Sequence, residues 1–300
     1  MSPKHLILHI LLLTASTAMT YSSNPSFNFD EAEQNLVEVF QVLIENPSKE
    51  NNQHFSNDFE EVLNQKGAFS YPFDSLENVG KLTSDNGLVR IFTWNLPLAV
   101  GVHQHNGFVM VKHHGSVTVY RLKDSRSDVE EAFSDILPPD KWYGALYYYL
   151  HQEEYQGVFY YSLLGVSLKD LFTTQRIIEP LWIDHEGKPM FGTPIFNIRG
   201  RKISRVVLEY TARANVMLRY SPEMEMLVFD HLVPSRPQYR GIYSHYGPDL
   251  SHDGLRFEGG EWHFEQNIDL RNPRRRRQAT PIESSEPGFI YKRNQGSANH

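Results

Sequence analysis

The amino-acid sequence predicts a mainly β protein: an antiparallel meander of about 10–14 strands with short helices at its N-terminal side. Three observations lead to this prediction. Apolar runs of strand length recur from Val79 onwards, tight-turn residues separate them, and the chain has no cysteine with which to staple a small loop-rich fold. A hydrophobic fraction of 40% and an aromatic fraction of 13% supply enough apolar side chains for a large core.

The first eighteen residues are typical of an export signal. Lys4 and His5 precede an apolar run at 6–13, and small residues follow at 16–18. The run has about half of the ~20 apolar residues that a membrane-spanning helix needs, so we expect a removable signal peptide and no anchor. The sequence therefore predicts a periplasmic or secreted protein, with no transmembrane segment after signal removal.

Charge and composition divide the rest of the chain. We expect a flexible lead-in at 19–29, a single β-rich domain at 30–272 and a disordered tail at 273–300 that opens on Arg274–Arg277. Residues 19–272 carry 22 Lys and Arg against 34 Asp and Glu, a net charge of −12. Such an acidic body repels phosphate backbones, which argues against a nucleic-acid partner. For the basic tail, contact with a membrane surface or an anionic glycan is the alternative to a solvated segment.

Three segments have the periodicity and end signals of helices. At 30–46 an apolar face begins after acidic residues and ends before Pro47. At 57–66 the spacing of Asn57 and Glu60 indicates a capping box, and Gly67 ends the pattern. At 127–136 a similar box is followed by two prolines.

The remaining apolar runs predict strands joined by short turns. Asp85-Asn86-Gly87 joins 81–83 to 89–94, and His114-Gly115 joins 108–111 to 117–120, because Asn and Gly tolerate the positive φ of tight hairpin turns. Further strands are predicted at 143–150, 158–166, 177–183, 203–210, 216–220, 226–232, 255–257 and 262–268. Such connections make consecutive strands antiparallel neighbours. A meander of this length has to protect its edges, as a sandwich, a barrel or a propeller-like array.

Several phrases of the chain resemble one family. The chain is similar to uncharacterised exported proteins of the Bacteroidota in several separate segments. These are 80–94, 141–148, 229–232 and 246–249, with the following Asp253-Gly254. The resemblance covers roughly 73–272. It implies an envelope or extracellular location and a single β-rich unit, and it transfers no catalytic residue. Some members carry a lipobox cysteine, which this chain lacks.

One acidic stretch has the first half of a calcium loop. Asp249, Ser251 and Asp253 place oxygen side chains at alternate positions before Gly254. The twelfth place of such a loop, where a bidentate acid belongs, is Gly260. The alternative is an ordinary turn leading into the next strand, and we expect calcium only as a secondary possibility.

A second polar group surrounds the end of a predicted strand. Asp230 and His231 could form an acid–base pair near Tyr246 and Asp249. Adjacent strand residues point to opposite faces, however, so the two share a pocket only if the strand has already ended. The alternative is structural, with the Asp capping loop amides and the His hydrogen-bonded beneath the turn.

Two histidine pairs are candidate metal ligands. His103 and His105 share a strand face, and a hairpin brings them towards His113 and His114, so zinc or copper is conceivable. No carboxylate ligand accompanies them, and we predict no metal site.

The aromatic side chains are concentrated around 142–161. If they are exposed on one sheet face, alternate tyrosines form a platform for sugar rings or peptide; if buried, they stabilise the sheet. Glu153, Glu154 and Glu179 lie close by in sequence and allow a two-carboxylate glycosidase in principle. The aromatic residues are Trp142, Tyr143, Tyr147, Tyr148, Tyr149, Tyr160 and Tyr161.

Motifs of well-known enzymes are absent from the sequence, including the serine nucleophile elbow, the zinc-protease helix motif and the phosphate-binding loops. We therefore expect an exported, non-catalytic module that binds a ligand or partner, a glycan or an envelope protein. The alternative is a glycan or peptide hydrolase with a carboxylate and histidine cleft. The candidate ligand-binding residues are Trp142, Asp230, His231, Tyr246, Asp249 and Asp253.

Overall fold

Strands, nearly all of them in antiparallel pairs, are the most abundant element of the described chain, as the sequence predicts. The computed structural model describes residues 27–270; the predicted signal peptide, most of the lead-in and the basic tail lie outside them. Two α-helices open this part, α1 at Phe29–Glu45 and α2 at Lys49–Leu63. In residues 27–270 no helix is both long and apolar enough to cross a membrane.

The strands form three open sheets. Sheet 1 has the order β1-β2-β3-β4, with β1 at Gly80–Thr83, β2 at Val89–Ala99, β3 at Val102–His113 and β4 at Ser116–Lys123. The central sheet has the order β11-β7-β6-β5, with β5 at Leu146–Tyr155, β6 at Val158–Leu168, β7 at Thr173–Ile183 and β11 at Val206–Thr211, and β8 at Pro189–Phe191 also pairs with β7.

Sheet 3 has the order β10-β9-β15-β14-β13-β12. Its strands are β9 at Phe196–Ile198, β10 at Arg201–Ile203, β12 at Leu218–Ser221, β13 at Met226–Pro234, β14 at Tyr246–Glu258 and β15 at Glu261–Glu265. The pairing of β9 with β15 is parallel. The predicted meander is interrupted here, because the chain visits sheet 3 at β9 and β10, returns to the central sheet as β11, and only then completes sheet 3.

The three sheets and the helix pair stack as four layers. In sheet 1, Phe92 and Phe108 face the helices, while the alternate residues Ile91 and Val109 face the central sheet. The central sheet is covered on both sides: Leu163 and Ile177 pack towards sheet 1, whereas their neighbours Leu164 and Ile178 pack towards sheet 3. The arrangement is a sandwich with a third sheet, in which the inner strands of the middle sheet are covered on both faces.

Helix α1 agrees with its predicted bounds, but α2 begins eight residues earlier than predicted. Ser48 is its N-cap and accepts a hydrogen bond from the Asn51 amide at 3.0 Å. The inward face of this helix begins with a polar residue: Asn52 is buried and accepts a hydrogen bond from the Trp94 indole at 2.9 Å. This buried polar position interrupts the apolar stripe from which the helix was predicted.

The helix predicted at 127–136 does not form; only Arg126–Asp128 makes a 3-10 turn. Carbonyl groups of this segment accept hydrogen bonds from the β10–β11 connection. Arg205 donates to the Ala132 carbonyl at 2.6 Å, and the Ser204 hydroxyl donates to the Ser134 carbonyl at 3.0 Å. Bonds of this kind replace the ladder that a helix would require.

Other strand bounds shift by a few residues, and two differences are larger. The strand predicted at 203–210 is divided at Ser204 and Arg205, whose side chains make the contacts just described. The strand predicted at 255–257 begins nine residues earlier, at Tyr246. Its first half contains a bulge, which the periodic pattern of the sequence does not reveal.

Candidate functional site

The polar residues predicted as a site lie in several parts of the fold. Trp142 is fully buried between sheet 1 and the central sheet, and its indole donates to the Tyr147 hydroxyl at 2.8 Å. Tyr246 is also buried, and its hydroxyl accepts from the Gly241 amide at 2.9 Å. Both rings belong to the core of the described structure, and a ligand would have to open the layers to reach them.

Asp230 and His231 lie on opposite faces of β13, because this strand continues to Pro234. Asp230 accepts a hydrogen bond from the Met217 amide at 2.8 Å, and its other oxygen lies 3.4 Å from His252. His231 Nδ1 lies 2.7 Å from Asp253 Oδ2. The predicted pair is thus replaced by two histidine–carboxylate pairs, one on each side of the strand.

The His231–Asp253 pair lies beneath a bulge in β14. Asp230 pairs with His252 and Leu232 with Pro248, so the three residues at 249–251 oppose His231 alone. The side chains of His231 and Asp253 are only 4% and 2% exposed. Asp249 is close enough for its charge to influence His231, but the buried imidazole is closed to a substrate.

The residues considered for calcium are not gathered into a loop. Asp249 accepts hydrogen bonds from the amide and hydroxyl of Ser251, whereas Asp253 faces inward to His231 and the Asn267 amide. Asp249 and Asp253 are instead placed on an extended, bulged strand. Within residues 27–270 no group of three or more His, Asp or Glu side chains is arranged to hold a metal ion.

His105, considered for zinc or copper, uses both ring nitrogens in hydrogen bonds. Nδ1 lies 3.1 Å from Asp124, and Nε2 accepts from the Leu168 amide at 3.3 Å. An imidazole that accepts at Nε2 carries its proton at Nδ1 and is neutral. Burial accordingly lowers the pKa of His105, against the opposing influence of Asp124.

We predict opposite pH effects from His105 and His231. The hydrogen bond to Asp253 raises the pKa of His231 above 6.5 despite burial, so its stabilising contribution is full below about pH 6.5 and is lost as pH rises through the raised value. For His105, whose pKa is lowered, the contribution is full above about pH 6.5 and declines as pH falls.

The measurement is the free energy of unfolding of wild type, His231→Asn and His105→Asn between about pH 5 and about pH 8. We expect the difference between wild type and His231→Asn to shrink as pH rises, and that for His105→Asn to grow. Parallel curves for the two variants would contradict the assignment.

The aromatic residues of the predicted platform are divided by a second bulge. The β5–β6 register shifts between Tyr147 and Tyr149. Without the shift these residues would share a face; with it, Tyr147 turns towards sheet 1, whereas Tyr149 turns towards sheet 3 and is 38% exposed. Tyr143 and Tyr161 also pack towards sheet 1, so the single platform suggested by the sequence does not form.

A smaller aromatic surface forms where two edge strands meet, β5 of the central sheet and β12 of sheet 3. We call the rings of Tyr149, His151 and Tyr220 the tyrosine ledge. The His151 and Tyr220 rings stack with centroids 3.8 Å apart, and Tyr149 is nearly parallel to Tyr220 at 6.4 Å. The Trp262 ring supports His151 from the core at 5.8 Å.

Carboxylates surround the tyrosine ledge. Glu153 Oε1 lies 2.8 Å from His151 Nε2 and is 29% exposed on its side chain. Partial burial is the main cause of the raised pKa of Tyr149, and the charge of Asp85 raises it further. Burial is the main cause of the raised pKa of Tyr220, and the charges of Glu153 and Glu225 raise it further. The ledge therefore combines nearly parallel rings with neighbouring carboxylates.

Of the three ledge rings, only Tyr149 is among the aromatic residues singled out from the sequence. The alternation of Tyr149, His151, Glu153 and Tyr155 at period two could have indicated a polar-aromatic row on one strand face. Tyr220 could not have been assigned to it, because the contact depends on the meeting of two sheets.

Glu179, considered as one of two catalytic carboxylates, is fully buried on the other side of the central sheet. It accepts hydrogen bonds from the Tyr147 hydroxyl and the Arg205 guanidinium. Burial and the charge of Glu179 raise the pKa of Tyr147 well above its ordinary range. Glu179 and Glu153 therefore do not face a common cleft.

Comparisons of the chain with protein-family models, with curated proteins and with solved structures gave no match.

Proposed function

We propose that the protein is an exported, non-catalytic binding module that holds its ligand on the tyrosine ledge. One observation carries the proposal: Tyr149 exposes part of its ring beside the stacked His151 and Tyr220, at a junction of two sheets. Aromatic rings that are held by a rigid scaffold and bordered by polar groups are common ligand-binding surfaces. Export is supported by the signal-like sequence at 1–18.

The positions of the polar residues favour binding over hydrolysis. His231 and Asp253 are buried beneath a bulge, Asp230 faces the other side of its strand, and Glu179 neutralises Arg205 in the core. A hydrolase would need its acid, base or nucleophile within reach of a bound substrate. On the tyrosine ledge, in contrast, Tyr149 is exposed.

Arrays of glycans and peptides, probed with the purified protein, test this proposal. We expect binding that Tyr149→Ala weakens about tenfold, which corresponds to the loss of about 1.4 kcal/mol of ring contact. Tyr155→Ala is the matched control, since Tyr155 is 37% exposed and lies outside the ledge.

The bound ligand should be recovered intact, and His231→Ala should leave its affinity within about threefold of wild type. Silence on both arrays, or equal loss in the two tyrosine variants, would contradict binding at the ledge. Release of shortened products that depends on His231 would instead favour the hydrolase.

A further inference from the structure

The arrangement of the three rings distinguishes a flat platform from a closed cage. Tyr149 is 6.4 Å from both His151 and Tyr220, while these two stack at 3.8 Å. The ring planes are nearly parallel, with angles of 13° and 12° to Tyr149. A centroid equidistant from both members of a stacked pair lies beside the pair and not above or below it. The rings therefore extend a surface sideways.

A sideways surface suits a ligand that has flat apolar faces and extends over more than one ring. Organic cations are held best when several rings enclose them, whereas here His151 and Tyr220 each cover one face of the other and Tyr149 lies beside them. The ledge also lies along β5 and β12, each of which is an edge strand of its sheet, so the aromatic surface is open at its margin. A ligand chain can therefore pass across it.

The charged groups near the rings restrict the ligand further. Asp85, Glu153 and Glu225 influence the two tyrosines. Of the neighbouring guanidinium groups, Arg219 donates to the Tyr220 carbonyl at 3.3 Å, and Arg176 covers Tyr148 and donates to the Val216 carbonyl at 2.9 Å, so the carboxylates near the rings outnumber them. Carboxylates accept hydrogen bonds from hydroxyl groups and repel anions. The surroundings thus favour a neutral ligand that is rich in hydroxyl donors.

We infer that the tyrosine ledge binds uncharged oligosaccharides, with one sugar face on Tyr149 and hydroxyl groups donating to Glu153. This inference rests on the proposed function and adds the ligand class. Pyranose rings combine an apolar face of C–H groups with hydroxyls at the rim, which matches ring faces bordered by carboxylates. Uronic-acid and sulfated glycans are rejected by the same carboxylates.

Isothermal titration calorimetry tests the inference on the purified protein. The probes are the hexasaccharides of β-1,4-linked glucose, β-1,4-linked N-acetylglucosamine and α-1,6-linked mannose, an oligogalacturonate and an arginine-rich peptide. We expect at least one neutral hexasaccharide to bind, with an affinity that changes less than about twofold between low and high salt. The oligogalacturonate should bind at least about tenfold more weakly.

Variants assign the binding to the ledge. Tyr149→Ala should weaken the neutral sugar about tenfold, Tyr149→Phe should retain affinity within about threefold, and Tyr155→Ala should match wild type. The thermal unfolding temperature of Tyr149→Ala should equal that of wild type. An unchanged temperature shows that the loss of binding does not come from misfolding. In the double variant Asp85→Asn, Glu153→Gln, the difference in affinity between the neutral hexasaccharide and the oligogalacturonate should become smaller.

The outcomes separate the two proposals. If the anionic sugar or the arginine-rich peptide binds and Tyr149→Ala abolishes it, the ligand class is wrong while binding at the ledge stands. If a neutral sugar binds equally well to wild type and Tyr149→Ala, the ledge is not its site. If no probe binds here and the arrays are silent, both proposals fall.

Discussion

Replacing Glu179 with Gln is expected to lower the free energy of unfolding by about 3–5 kcal/mol. Glu179 and Arg205 form an ion pair in which both side chains are fully buried. The amide can still accept hydrogen bonds, but it leaves the Arg205 charge without a counter-ion in a medium that solvates it poorly. Urea unfolding at pH 7 measures the loss.

The matched control is Glu261→Gln, the same change in a surface pair. Glu261 lies near Lys202, whose side chain is 55% exposed, and water screens this pair. We expect a loss below about 1 kcal/mol. Replacing Glu179 and Arg205 together with Leu and Met should restore much of the stability lost in Glu179→Gln, because no unpaired charge remains. Equal losses in the buried and surface variants would refute the argument.

Phe59→Ala is expected to cost about 3–5 kcal/mol through loss of apolar burial and creation of a cavity. Phe59 lies on α2 and is fully buried where the helices meet sheet 1. Its ring centroid lies 5.1–6.3 Å from those of five other aromatic rings. These neighbours are Phe55, Phe73, Phe92, Trp94 and Phe108.

The control for Phe59 is the same substitution at an exposed ring. Phe172 is 69% exposed in the β6–β7 turn, and Phe172→Ala should change the free energy of unfolding by less than about 0.5 kcal/mol. Thermal or urea unfolding of both variants provides the comparison. A loss below about 1 kcal/mol for Phe59→Ala would mean that the helices are not integral to the core.

The sequence predicts correctly those elements whose conformation depends only on residues that are neighbours in the chain. The hairpin through Asn86 and Gly87 forms as predicted, with Gly87 at a φ of 64°. The β3–β4 hairpin likewise turns at His114 and Gly115, both at positive φ. These turns depend on the conformational range of two residues, which a sequence displays directly.

Prediction failed where distant contacts decide the structure. The segment at 127–136 has helical periodicity, yet its carbonyl groups bond to Ser204 and Arg205, some seventy positions away. The bulge at Tyr147 and Tyr149 reverses the faces of neighbouring tyrosines without any marker in composition. The tyrosine ledge depends on both this bulge and the placement of β12, so no sequence pattern could have assembled it.

The middle position of the central sheet has a consequence for the motions of the protein. Strands β6 and β7 are inner strands of a sheet that is covered on both faces, and residues such as Leu164 and Ile178 have no exposed surface. Their amide hydrogens can meet solvent only when adjoining layers separate. Deuterium exchange at these amides should therefore report global opening, whereas the amides of the outer edge strands should exchange through local fraying.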